Sequence, residues 1–175
     1  YEVIPDSLLK EQWPRLGNSD LIELVKYLDQ LPKIASVQSK QGTHKLWFKK
    51  VAAYWLPVSF KEPPTYSKNH ELLEGNTGFL PFSSKNVCDF ITASMAGKLG
   101  YLWWGIYGDD LNVTRGLYES FPLLTSNDEK IQDDLDSLAS ELKTAMNNGD
   151  LLWNLNAGKW VGNYDSRMHS VITDE

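Results

Sequence analysis

Two adjacent acids, Asp109 and Asp110, sit in the stretch "GIYGDDLNVTRGLYESFPL". They are the first side chains in the chain that invite a chemical reading. A carboxylate pair can ligate a metal or share acid/base work, but neighbours in sequence point apart more often than together, so a polar turn is the competing reading. His44, His70 and His169 are scattered, and Cys88 is the one cysteine. No metal-ligand spacing of the paired Cys-x-x-Cys or His-Glu-x-x-His kind arises from them. The chain has no Gly-x-Ser-x-Gly, no phosphate loop and no Gly-x-Gly-x-x-Gly. No active site can be assembled from these residues, and none of them is assigned as catalytic.

The remaining signal is charge. The chain of 175 residues has a net charge of −6. Between positions 31 and 70, however, seven lysines (33, 40, 45, 49, 50, 61 and 68) face a single acid, Glu62. Such a local excess can mark an anionic partner; a solvated lysine surface is the alternative. The acids gather instead after position 100.

These residues must be held by a fold. With 42% hydrophobic residues and seven Trp, the composition is globular. No apolar run reaches the roughly 18 residues of a membrane span. The opening "YEVIPDSLLKEQWP" has neither the basic start nor the apolar stretch of a secretory signal, and no Met begins it. The chain is therefore expected to be a piece of a longer protein. A single cysteine fits a reducing, cytoplasmic location.

Periodicity predicts a short amphipathic helix within "GNSDLIELVKYLDQLPK", capped by Ser19 and ended by Pro32, with Leu21, Ile22, Val25 and Leu28 on one face. Strands are expected from Ile34 to Phe60, with a turn at Gln41-Gly42 and alternation at Leu46, Phe48, Tyr54, Leu56 and Val58. "KEPPTYSKNHELLEGNTG" reads as a polar loop in which Pro63 and Pro64 fix an extended backbone. One buried helix is expected from Ser84 through Trp104, then a turn at Gly108. A single helical turn follows, capped by Thr114 and stopped by Pro122. Ser126 and Glu129 form a capping box for an amphipathic helix carrying Ile131, Leu135, Leu138, Leu142 and Ala145, ended by Gly149. The tail after it reads as polar.

The fold class expected is α+β. A small, mostly antiparallel sheet from about 33 to 82 packs on a buried helix at about 86–105, with the C-terminal amphipathic helix alongside. The division expected is 1–125 for the α+β domain and 126–175 for the helix and tail packed on it.

Three segments now take on meaning by their order: "HKLWFKKVAAYWLPVSFKEPP", then "GFLPFSSKNVCDFITASMAGKLGYLWWGIYGDDLNVTRGLYESFPL", then "GKWVGNYDSR…VITDE". Together they span roughly 46–175. The set resembles the C-terminal region of adenine-specific DNA methyltransferases of the type IIG restriction-modification kind. Two departures stand out. Thr92-Ala93-Ser94 occupies the place where the family often has Asn-Ser. Glu62-Pro63-Pro64-Thr65-Tyr66 fails as an Asn-Pro-Pro-Tyr loop, with Glu at the decisive position and Thr65 intervening.

The resemblance implies a DNA target-recognition portion that does not methylate alone. No cofactor is expected in this stretch; S-adenosylmethionine belongs to the parent, whose catalytic methyltransferase domain would lie upstream in the same chain. Double-stranded DNA is the implied partner, and no membrane. On this reading Lys40, Lys45, Lys49 and Lys50 contact phosphates, Gln38, Gln41, Thr43 and His44 lie near base edges, and polar residues of the 39–45 and 65–78 loops read them. Tyr101, Trp103, Trp104 and Tyr107 are then packing residues. The rival class is a protein-interaction or structural domain without DNA contact, docking through the acidic 126–148 helix.

Overall fold

A computed structural model describes residues 14–52, 56–108, 112–125, 129–149 and 151–165, and His169. Asp109, Asp110, Tyr54, Ser126 and the closing "VITDE", all singled out above, lie outside the described residues.

Antiparallel sheets and helices are mixed, giving an α+β fold. The chain begins with α1 (Ser19–Gln30). Its cap is Asn18 rather than Ser19: the Asn18 Oδ1 accepts from the Leu21 N–H at 2.9 Å. Ile22, Val25 and Leu28 recur on one face of α1, and the first two pack with Ile106. A short 3-10 turn (Ile34–Val37) follows where a strand was expected. Its N-terminal end is tied instead to a distant segment: the Ile34 N–H donates to the Phe121 carbonyl, and Lys33 bridges Pro122.

The first sheet has the order β2-β1-β5, from β1 (His44–Lys49), β2 (Val58–Ser59) and β5 (Thr77–Phe82). All its pairings are antiparallel. Alternation along β1 turns Leu46 and Phe48 inward and leaves Lys45 and Trp47 on the other face. The inner face meets α2 (Lys85–Ala96), which is buried on several sides by Cys88, Phe90, Ile91 and Met95. Ser84 caps α2 through its Oγ, and the helix starts where the sequence places it.

The single long helix expected after Ser84 is two. Gly97 takes an extended backbone (φ −85°, ψ −172°), which ends α2 and starts α3 (Lys98–Tyr107). Trp103 and Trp104 are buried in the core, Tyr107 is half-buried and Tyr101 is 48% exposed. The Trp103 indole N–H donates to Ser120 Oγ at 3.3 Å, and its ring meets Phe121 edge-on. Thr114 caps the one-turn α4 (Arg115–Glu119). Tyr118 from that turn is fully buried against Phe48 and donates to the Lys49 carbonyl at 3.2 Å. The "GIYGDDLNVTRGLYESFPL" stretch, where described, therefore contributes to the core.

Helix α5 (Glu129–Asn148) packs on α2 through Ala139, Leu142 and Met146. Ile131, expected on the buried stripe, is 50% exposed. The tail is not merely polar. It forms a hairpin, β6 (Leu152–Asn156) and β7 (Lys159–Asn163), around Ala157 and Gly158, both at positive φ. That hairpin adds to β3 (Thr65–Tyr66) and β4 (Leu72–Leu73), which arise within the expected polar loop. The result is a second antiparallel sheet of order β4-β3-β7-β6. No helix among the described residues is long and apolar enough to cross a membrane.

Candidate nucleic-acid interface

The basic segment runs from the turn before β1 to the residue after it. Lys40, Gln41 and Thr43 are exposed in that turn, which the Gly42 N–H closes on the Ser39 carbonyl at 2.8 Å. A Cβ at Gly42 would collide with the Phe82 backbone, so only glycine fits here. Lys45 is exposed, and Lys50 is exposed just past the strand. His44 is half-buried, opposite Phe82.

Lys45 does not stand alone. Across the ladder Trp47 pairs with Phe79, their ring centroids 5.2 Å apart, and Lys45 Nζ lies 4.3 Å from the Phe79 centroid and 5.2 Å from that of Trp47. A cation is thereby held over two aromatic faces on the outer side of the first sheet. The sheet's outer face thus offers charge and ring surface together.

Two of the expected contacts are directed elsewhere. Gln38 is half-buried, and its Oε1 accepts from Arg115 Nη2 at 3.3 Å, which ties it to α4 rather than to solvent. Lys49 is half-buried and donates to the Gly162 carbonyl at 2.8 Å and to Asn163 Oδ1. Burial lowers its pKa to about 8. Its ammonium joins the two sheets and is not presented to a phosphate. Six of the fourteen residues of the expected 65–78 loop belong to β3, β4 and the start of β5, and their backbone groups are committed to ladders.

A second surface escaped the sequence reading. Register places Tyr66, Leu72, Trp160, Leu155 and Trp153 on one face of the second sheet. Tyr66, His70, Trp153 and Trp160 line a pocket of about 450 Å³. Tyr66 and Trp153 stand 5.8 Å apart at 43°. Trp153 is 43% and Trp160 38% exposed, so these rings are not core. The signal was the alternation of Trp153 with Leu155, and of Trp160 with Gly162, about an Ala-Gly turn. His70 is set at the rim by a tight turn: Ser67 Oγ accepts from Asn69 and Glu71, both at 3.1 Å, and His70 adopts φ 63°.

Among the described residues no group of three or more His, Cys, Asp or Glu could hold a metal ion. Comparison of the chain with protein-family models, with curated proteins and with solved structures gives no match.

Proposed function

We propose that this chain is the DNA target-recognition portion of an adenine-specific DNA methyltransferase of a restriction-modification system, non-catalytic by itself. The observation that carries the reading is the exposed basic and polar run Lys40, Gln41, Thr43, Lys45 and Lys50, with Lys45 set over the Trp47–Phe79 pair. The ordered sequence segments supply the family. Lys45 on the outer face of the first sheet, with Lys40 in the turn before β1 and Lys50 just past its end, neutralises phosphates, and Gln41 and Thr43 in that turn read base edges. Lys49 and Gln38 leave the set of contacts and serve to position it. The methyl donor, S-adenosylmethionine, and the catalytic domain belong to the rest of the parent.

Duplex binding by the chain, followed by fluorescence anisotropy across a salt series, tests the reading. The log–log slope of affinity against salt should be negative, at roughly 0.9 per neutralised phosphate, and should flatten by about that amount in each of Lys45→Ala and Lys50→Ala. Gln41→Ala in the parent should change sequence preference instead. Absence of any salt-dependent duplex binding rejects the reading in favour of a protein-interaction domain docking through α5.

A further inference from the structure

The aromatic pocket of the second sheet has no part in the duplex footprint just described, and its chemistry is specific. Three ring systems, Tyr66, Trp153 and Trp160, present π faces around about 450 Å³. Leu72 and Leu155, 70% and 57% exposed, widen the same apolar face. Pro64, just before β3, and Gly162 of β7 pack closely beside it: a Cβ at Gly162 would lie 3.1 Å from Pro64 Cγ, tighter than ordinary van der Waals contact.

Charge at one end of the face narrows the occupant. The β3–β4 turn carries Lys68 and His70, and the β6–β7 turn ends at Lys159. The two turns meet, because a Cβ at Gly158 would lie 3.2 Å from Lys68 Cε. Lys68 and Lys159 are both exposed, and Glu71 is the acid of those turns. Register puts Lys159 on the face opposite its neighbour Trp160, which leaves Lys68 at this end of the cup; its ammonium disfavours a cation among the rings and favours an anion attached to a flat ring.

We infer that this cup binds an unpaired nucleotide of single-stranded DNA. The base stacks on the rings of Tyr66, Trp153 and Trp160, and Lys68 meets its phosphate. Stacking of this kind is tolerant of sequence, since every base has a π face. The inference takes its ligand class from the proposed function, but its residues are independent of Lys45 and Lys50.

The test measures binding of the 175-residue chain to labelled oligo-dT, to oligo-rU and to a duplex, in parallel. Trp153→Leu and Trp160→Leu keep apolar bulk but remove the indole, and Trp160→Phe keeps a ring. Each Leu variant should weaken oligo-dT binding by roughly tenfold or more, Trp160→Phe by much less, and duplex binding should be unchanged. Lys68→Ala should flatten the oligo-dT salt slope by about 0.7. Circular dichroism of the same variants reports whether the fold is kept. No oligo-dT binding, or binding indifferent to the Leu variants, overturns the inference and leaves the duplex reading standing if the duplex still binds. Cup-dependent oligo-dT binding without duplex binding does the reverse. Tighter binding of oligo-rU than of oligo-dT assigns the cup to RNA and overturns the DNA assignment.

Discussion

Lys49 and Gly162, 113 residues apart, are joined by a hydrogen bond of 2.8 Å from the Lys49 ammonium to the Gly162 carbonyl. Through it β1 of the first sheet holds β7 of the second. The same ammonium also donates to Asn163 Oδ1, so a lysine that the sequence offers as a phosphate contact is used to assemble the fold.

That bond has a pH signature. Burial lowers the Lys49 pKa to about 8, against an ordinary value of 10.5. Below pH 8 both folded and unfolded chains hold the proton, and the desolvation cost is full and constant. Between about 8 and 10.5 the unfolded chain binds more protons, so this group's contribution to stability rises with pH. Urea midpoints of the wild type and of Lys49→Met, taken at pH 7, 9 and 10, should show the difference moving in favour of the wild type. Subtraction removes the tyrosines and the thiol, whose titrations are common to both. A difference independent of pH would mean that the amine is fully hydrated.

Asp89 ties α2 to α5. Lys143 Nζ reaches its two oxygens at 2.6 and 2.7 Å, and Lys85 reaches Oδ2 at 2.9 Å. The Asp89 side chain is only 12% exposed, and Lys143 is less exposed than Lys85. Removing Lys143 leaves a buried carboxylate short of a partner, at a cost of about 1–3 kcal/mol, whereas an exposed pair is worth about 0–1 kcal/mol. Chemical denaturation should rank Lys143→Ala well above Lys85→Ala in destabilisation. Equal effects would contradict the assignment of the interhelical pair as the stronger one.

Cys88, next to Asp89 in α2, is buried, and desolvation is the main cause that pushes its thiol up to about 11, with the Asp89 charge second. At pH 8 its thiolate fraction falls roughly two orders of magnitude below that of a free cysteine, before access is counted. A disulfide reagent should leave the native chain unmodified over the time in which it modifies the urea-unfolded chain completely. Rapid native modification would show that α2 opens away from the first sheet.

How much of this could be read in advance depends on distance along the chain. Thr114 was legible as a cap because it accepts from an N–H three residues on. Leu46 and Phe48 were legible as inward residues because their period is local. The second sheet was not. Thr65 and Tyr66 form too short a strand to show alternation, and their partner Val161 lies almost a hundred residues later. The β6–β7 hairpin alone puts Trp153 and Trp160 on one face, but Tyr66 and His70 join them only through the remote β3 pairing, so the aromatic cup could not be assembled from sequence. Lys49 was misjudged for the same reason: a lysine on the outer side of a strand is solvated unless a remote segment covers it. Exposure of Lys40, Gln41, Thr43, Lys45 and Lys50 depends on near neighbours and was legible.

The elbow between α2 and α3 separates two glycines that sequence alone treats alike. Gly100 and Gly105 both lie within α3. A Cβ at Gly100 would run into the Met95 carbonyl, which belongs to α2 and is backbone that cannot rotate away. At Gly105 a Cβ meets nothing within 4 Å, and the position is exposed. Gly100→Ala must therefore push α3 off α2 and disturb Met95, itself buried beneath the first sheet, with a cost of about 1–3 kcal/mol. Gly105→Ala removes only unfolded-chain freedom from an exposed helical site and should stabilise by about 0.5–1 kcal/mol. Thermal unfolding of the two variants should move the midpoint in opposite directions. If Gly100→Ala is neutral, the break at Gly97 is not a fixed elbow, and α2 and α3 can relax toward the single helix that their shared apolar pattern favours.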